Sequence, residues 1–368
     1  MTQPMALALI YAPVRADLDA LERLFRTELS SDDPFVGELV THVLTTRGKM
    51  LRPALTCLSA LAAASARPVG AGHPGDGVGV GTDARLRVAG AVELIHVASL
   101  IHDDVIDAAD LRRGQASVNA VWGNQIAVLL GDFLFSKAFH MLARLRGDGI
   151  AAAMAAATVR MAQAEIKQIK YGNTPHTDEQ IYFDIIDGKT AALTSAACRC
   201  GALTAGAPPD VADALAAFGL EWGMAFQITD DTLDVTATAD HLGKPIGGDI
   251  QTGKVTLPII YALRDAPEAN GRRLRQILDG DGGGLLRAGD GADAVRAEVS
   301  HRGGVAAPRV SAFDEVHSIL TGAGAIERAL TVARERARGA AQALDRVPPS
   351  GARDSLAALV EFVTVRTR

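Results

Sequence analysis

Six aspartates carry the first chemical signal in the chain. In SLIHDDVIDAADLRRG (residues 99–114), Asp103, Asp104 and Asp107 stand at i, i+1 and i+4, and FQITDDTLD (226–234) repeats the spacing with Asp230, Asp231 and Asp234. On a helix, residues four apart are separated by about 40° in projection, so Asp103 and Asp107 share a face. Like charges at that spacing are mildly destabilising unless something positive sits between them. Mg²⁺ is the natural cation, because it takes one or two carboxylates, keeps some waters and completes its octahedron with phosphate oxygens. One such motif reads equally well as a solvated helix end. Two of them, each behind an apolar helix, imply two carboxylate clusters facing each other across a cavity. His96, seven residues before Asp103, falls on nearly the same stripe, and Gln227 precedes Asp230 by three.

A carboxylate–Mg²⁺ site of this kind calls for an anionic substrate, and diphosphate fits best. Arg112 and Arg113 follow the first motif beside Gly114, which is expected to end that helix. Lys244 and Lys254 follow the second in HLGKPIGGDIQTGKVTLP, where glycines let the backbone approach a ligand closely. Upstream, RGKMLRPAL offers Gly48, Lys49 and Arg52 at the start of a helix with Pro53 in its first turn, a suitable place for an anion. Each of these alone is an ordinary surface charge. Lys189 differs: in DIIDGKTAALTSAAC it has no acid at i±3 or i±4, so it either snorkels outward or points into a polar cavity. Thr190 beside it reads as a helix residue with its hydroxyl bonded back.

The elements that hold these groups are helices. The composition is Ala-rich with few aromatics and no alternating β-branched runs, and apolar residues recur at helical spacing over about 15–30, 34–46, 51–65, 85–111, 118–144, 148–172, 177–206, 209–236, 253–265, 310–322, 324–344 and 351–366. Strands are expected to be essentially absent. With 368 residues, 48% of them hydrophobic, the chain can bury a large core. It reads as one all-α domain over 1–368, with Gly-rich loops inserted at 67–84 and 279–306. A formal charge of −6 argues against a nucleic-acid partner. Cys57, Cys198 and Cys200, odd in number and without a CxxC pair, suit a reducing, cytoplasmic setting. The N-terminus has no signal-peptide pattern, and no uninterrupted apolar stretch reaches the length of a membrane span, so no stable membrane insertion is expected.

In order along the chain, GKMLRP, ELIHVASLIHDDVIDAADLRRG, WGNQIAVLLGDFLFSKAF, DGKTAAL, FQITDDTLD and GKPIGGDIQTGKVTLP resemble the motifs of the trans-isoprenyl diphosphate synthases, over about residues 45 to 262. The resemblance implies an all-α fold of ten or more helices around a deep central cavity, a homodimer, and head-to-tail condensation of isopentenyl diphosphate onto an allylic diphosphate. It implies three Mg²⁺ ions per site, with Asp103, Asp107 and Asp230 as principal ligands and Asp104, Asp231 and Asp234 as outer-shell or water-mediated partners. Arg112, Lys189, Gln227, Lys244 and Lys254 would then hold the allylic diphosphate, and Gly48, Lys49, Arg52, His96 and Arg113 the isopentenyl diphosphate. The Lys189 and Thr190 carbonyls and the Gln227 side-chain oxygen would face the developing carbocation.

Ala98 and Ser99, five and four residues before Asp103, stand about one turn below the metals. Bulky side chains there would stop growth of the product; small ones resemble the long-chain members and lead to a C30–C50 all-trans product for quinone side chains, delivered to a membrane. Phe133, Phe135, Phe139 and Met154 are candidates for the tunnel floor. The alternative product is C20 geranylgeranyl diphosphate. Three other readings compete: a non-catalytic partner subunit, which would have lost part of this charge set; a terpene cyclase, which has no need of the GKMLRP site; and a di-iron bundle built on the Glu-x-x-His pairs Glu93/His96 and Glu298/His301.

Overall fold

The helical periodicity of the sequence is realised almost throughout. The computed structural model describes residues 7–45, 48–66, 81–145, 149–172, 174–236, 248–251, 254–279 and 312–365. In chain order its helices are α1 (Leu7–Ile10), α2 (Arg15–Glu28), α3 (Pro34–Thr45), α4 (Leu51–Ala64), α5 (Thr82–Ile106), α6 (Val118–Trp122), α7 (Asn124–Ala143), α8 (Ile150–Tyr171), α9 (Glu179–Ile186), α10 (Ala192–Thr204), α11 (Pro209–Asp234), α12 (Gly248–Gln251), α13 (Leu257–Asp265), α14 (Glu268–Leu278), α15 (Ala312–Gly322), α16 (Ala325–Ala343) and α17 (Gly351–Val365). The Gly-rich segments expected at 67–84 and 279–306 lie, apart from 81–84 and 279, outside the described residues.

Several boundaries differ from the periodicity. The helix expected over 85–111 stops at Ile106, because Ala108 turns to φ 49°. The chain then forms a hairpin, β1 (Leu111–Arg112) against β2 (Gln115–Ala116), with Arg112 opposite Gln115. Gly114, expected as a helix end, serves this turn instead at φ 77°. Gly123 at φ 83° divides the 118–144 stretch into α6 and α7. The 177–206 stretch is not one α-helix: between α9 and α10 lies a π segment, Asp187–Ala191, in which the Ala192 N–H reaches the Asp187 carbonyl. Helix α14 has no counterpart in the periodic pattern, since in its sequence EANGRRLRQIL the large apolar residues are only Leu274, Ile277 and Leu278, near its end.

Two apolar cores divide the bundle. One gathers α4, α5, α7, α10 and the first half of α11, through residues such as Leu55, Leu94, Met141 and Phe218; the other lies under α13 to α16, around Ile260, Leu274 and Leu320. Helix α11 joins them, with Phe218 and Trp222 in the first and Met224 and Ile228 in the second. It lies close on α10 because of Gly219 and Gly223: a Cβ at either would collide with Thr194. That close seat brings the end of α11, with its aspartates, to the level of the π segment.

Helix α7 is the longest apolar element near span length among the described residues. By length and composition it is apolar enough to cross a membrane. Asp132 and Lys137 interrupt its apolar run, so it is not an uninterrupted apolar stretch. Its buried face, Leu130, Leu134, Ala138 and Met141, belongs to the first core.

Candidate active site

The C-terminal end of α5 presents the first aspartate motif. Asp107 caps the helix, its N–H donating to the Asp103 carbonyl at 2.8 Å, so the i,i+4 relation survives the helix end. Each of these two carboxylates faces a lysine from elsewhere in the chain: Asp103 Oδ2 lies 3.3 Å from Lys189 Nζ, and Asp107 Oδ2 accepts from Lys254 Nζ at 3.1 Å. Asp104 is buried and faces the hairpin, where Arg112 Nε donates to both its oxygens at 2.7 and 2.9 Å. Burial raises the Asp104 pKa, and the bond to Arg112 only partly offsets that. Arg112, expected toward a diphosphate, therefore has part of its guanidinium on Asp104.

The π segment and α11 supply the facing side. A π turn widens the helix by one residue, a feature that recurs at functional sites. It aims Thr190 across at α11, where its hydroxyl donates to Gln227 Oε1 at 2.7 Å rather than bonding back along its own helix as expected. Gln227 Nε2 in turn donates to Asp231 Oδ1 at 2.7 Å, and Tyr182 donates to Asp231 Oδ2 at 2.6 Å. Burial pushes Asp231 up to about 6, against the pull of those two donors. Asp230, one residue earlier, is exposed.

Two functional candidates escaped the sequence. Glu165 on α8 accepts from Lys189 Nζ at 2.7 Å, so the lysine that lacks a partner on its own helix finds one across the bundle. Burial raises the Glu165 pKa and Lys189 opposes the rise. Nothing in the spacing of MAQAEIKQIK sets this glutamate apart. The other is Asp249 on α12, within GKPIGGDIQTGKVTLP; its N–H donates to Asp234 Oδ2 at 2.9 Å. Burial, then Asp231 and Asp234, push Asp249 up to about 8. Burial alone would lower the Lys254 pKa, but Asp107 and Asp249 outweigh it and the pKa is raised.

The second basic group gathers around the start of α4. Met50, at φ 53°, begins that helix without a side-chain cap. Arg113, at φ 52°, lies across Gly48, where any Cβ would collide with its guanidinium. Gly48, Glu93, His96, Arg112 and Arg113 line one small hollow of about 50 Å³. Burial lowers Arg52 to about 10, with Glu93 opposing, and its Nε is buried without a hydrogen-bond partner among the described residues. Burial, then Arg52, Arg113 and Arg112, hold His96 well below the usual histidine range, so it is neutral. A second hollow of about 110 Å³ is lined by Gln168, Lys189, Thr190, Gln227, Asp231, Asp249 and Lys254. Lys244 lies outside the described residues.

Below Asp103, Ala98 is fully buried and the Ser99 hydroxyl bonds back to the His96 carbonyl at 2.8 Å. Met154 is fully buried, and Phe133, Phe135 and Phe139 are partly buried against the same core.

The donor set fits Mg²⁺. Among the described residues no three Asp, Glu, His or Cys side chains converge into a ready-made cage. Lysine ammoniums instead face Asp103 and Asp107, as monovalent stand-ins for a cation. An ion that binds through one or two carboxylates and takes substrate phosphates for the rest of its shell needs no more. The di-iron reading needs such a cage; of its two Glu-x-x-His pairs, Glu298/His301 lies outside the described residues.

Comparison with known proteins agrees with the geometry. A family model described as polyprenyl synthetase matches residues 33–283. The octaprenyl diphosphate synthase of Haemophilus influenzae is 32% identical over 93% of this chain and 92% of its own. The all-trans-nonaprenyl-diphosphate synthase (geranyl-diphosphate specific) of Rhodobacter capsulatus is 33% identical over 97% of each. Among solved structures, a polyprenyl synthase from Caulobacter crescentus, complexed with calcium and isoprenyl diphosphate, superposes with a TM-score of 0.82 at 28% identity, covering 100% of this chain and 99% of that one.

Proposed function

The chain belongs to the polyprenyl synthetase family and is a prenyltransferase, and from that premise we propose how its residues elongate an allylic diphosphate to a C30–C50 all-trans product. The long-chain relatives and the small, buried Ala98 favour this over the C20 alternative. The reading rests above all on the facing of Asp103 by Lys189 and Asp107 by Lys254, two carboxylates at the end of α5 met by cations from two other segments. It leaves the partner-subunit and cyclase readings without support, since both charge sets are present.

In this proposal Lys189, Lys254, Lys244, Arg112 and Gln227 hold the allylic diphosphate, and Gly48, Lys49, Arg52, His96 and Arg113 hold the isopentenyl diphosphate. Asp103, Asp107 and Asp230 are the ligands for three Mg²⁺ ions, which when bound neutralise the leaving diphosphate as Lewis acids; the calcium of the Caulobacter structure supports a divalent site. Asp104, Asp231 and Asp234 support the site from outside the metals' inner coordination, directly or through water. Breaking the allylic C–O bond puts new charge on the leaving group, and Lys189 and Lys254 stabilise it as it develops. The Lys189 and Thr190 carbonyls and Gln227 Oε1 face the cation left behind, with Thr190 fixing the amide. The isopentenyl double bond then forms the new C–C bond, and the proton lost to restore a double bond goes to the departed diphosphate.

We also read the chain as a single domain acting as a cytoplasmic homodimer. Exposed apolar residues on two neighbouring helices, Val128 and Leu129 of α7 and Val159, Ile166 and Ile169 of α8, support pairing of two copies there; Leu129 is 63% and Ile166 68% exposed. Cys57, Cys198 and Cys200 are buried and free, which suits a reducing compartment. The buried face of α7 argues against stable membrane insertion, with the product passed on to a membrane.

The test is incubation with isopentenyl diphosphate, farnesyl diphosphate and Mg²⁺, with a parallel EDTA control and products sized by mass spectrometry. A Mg²⁺-dependent ladder ending between C30 and C50 is expected. A stop at C20 overturns the chain length, and no elongation with any allylic starter overturns the enzyme.

A further inference from the structure

We propose that Tyr11 is a positioning residue for the isopentenyl diphosphate cradle, acting from the N-terminal segment through the backbone of Lys49. The inference rests on the assignment of Gly48, Lys49 and Arg52 to that substrate. Tyr11 lies between Ile10 and Val14, both fully buried, so the segment is anchored on either side of it. Its hydroxyl donates to the Lys49 carbonyl at 2.9 Å, across 38 residues of sequence. The next residue, Met50, holds a left-handed conformation that a non-glycine residue keeps only where its surroundings impose it. The Lys49–Met50 peptide is thus held from one side by Tyr11, while α4 continues from it on the other through the Ala54 N–H bond to the Met50 carbonyl.

The surroundings keep Tyr11 a donor. Burial and the Glu93 carboxylate hold its phenol well above the usual range, so the hydroxyl retains its proton. Glu93 is buried on α5 and also acts on Arg52, whose buried Nε has no partner among the described residues. Tyr11 therefore does not touch substrate. It fixes the peptide from which the Gly48 backbone and the Lys49 and Arg52 side chains reach it. On the allylic side, Lys189 and Lys254 pair instead with Glu165, Asp103 and Asp107, none of them in the N-terminal segment.

Tyr11→Phe keeps the ring and removes only the hydroxyl. The KM for isopentenyl diphosphate should rise about fivefold, the size expected for one hydrogen bond, while the KM for farnesyl diphosphate moves less than twofold. Calorimetric titration of isopentenyl diphosphate in EDTA should show the same weakening without turnover. A variant matching wild type in both measurements, or one in which both KM values rise together, would overturn the inference alone. Wild-type protein that fails to bind isopentenyl diphosphate would instead overturn the substrate assignment, and the inference with it.

Discussion

The Lys189 ammonium lies 2.7 Å from the Glu165 carboxylate, a partner 24 residues earlier on a different helix. The same nitrogen is 3.3 Å from Asp103, so one lysine stands between a metal-binding candidate and a carboxylate that holds it in place. Glu165→Gln keeps the shape and removes the charge. A charge-assisted bond is worth about 1.5–3 kcal/mol, so kcat/KM for the allylic substrate should fall about tenfold or more. The KM for isopentenyl diphosphate should barely move, because its cradle lies on α4 and the hairpin. Steady-state kinetics with each substrate varied in turn checks both halves.

Asp103→Ala and Asp230→Ala should each lower turnover by about 100-fold or more, as expected when a group that stabilises developing charge is lost. EDTA should do the same to the wild-type enzyme, reversibly on adding Mg²⁺. Circular dichroism should show the fold intact in both variants, since Asp230 is exposed and Asp103 lies at the end of α5. Near-normal turnover in either variant would remove the two-cluster mechanism.

Much of this arrangement could be read in the sequence, and what could not has a common cause. Helices with an apolar stripe, such as α5 and α11, announce themselves by period. Helix α14 does not, because its large apolar residues are confined to Leu274, Ile277 and Leu278 near its end and its first two turns are mostly polar. Turns set by φ also escape period counting: Gly123 breaks what reads as one helix, and Ala108 ends α5 early although alanine favours helices. At the site, residue types and spacing single out the two aspartate triplets and the lysines. The pairings among them cross the bundle, Lys189 to Glu165 and Lys254 to Asp107, over 24 and 147 residues. An i±4 rule sees only one helix, so it leaves Lys189 unpartnered and passes over Glu165.

His96 supplies a pH dependence whose sign follows from its surroundings. Burial and three arginines depress its pKa in the folded state, whereas the unfolded chain titrates at about 6.5. Between those two values the unfolded chain binds a proton that the folded protein does not, so stability rises with pH across that window. The contribution is fully present above about pH 6.5 and is lost as the pH falls toward the folded value. Melting curves between pH 5 and 7.5 should therefore show a declining Tm on the acid side. His96→Gln cannot titrate and should flatten part of that decline, and an unchanged slope would show that other groups account for it.

Ala98 is fully buried five residues before Asp103, about 7.5 Å along the helix from the metal-binding end of α5. A helical turn of about 5.4 Å is comparable to one isoprene unit, so a side chain that fills this level removes room for the later additions. Ala98→Phe should shift the product ladder from C30–C50 toward C20 or shorter while leaving the first condensation intact. Overpacking a well-filled site costs about 1–3 kcal/mol, enough to lower the Tm by several degrees yet leave the protein folded at assay temperature. The readout is the length distribution at equal turnover, measured by mass spectrometry, which a merely destabilised enzyme would not change. An unaltered ladder would move the floor away from α5, and Met154→Trp on α8 would be the next substitution, since that fully buried residue packs into the same core.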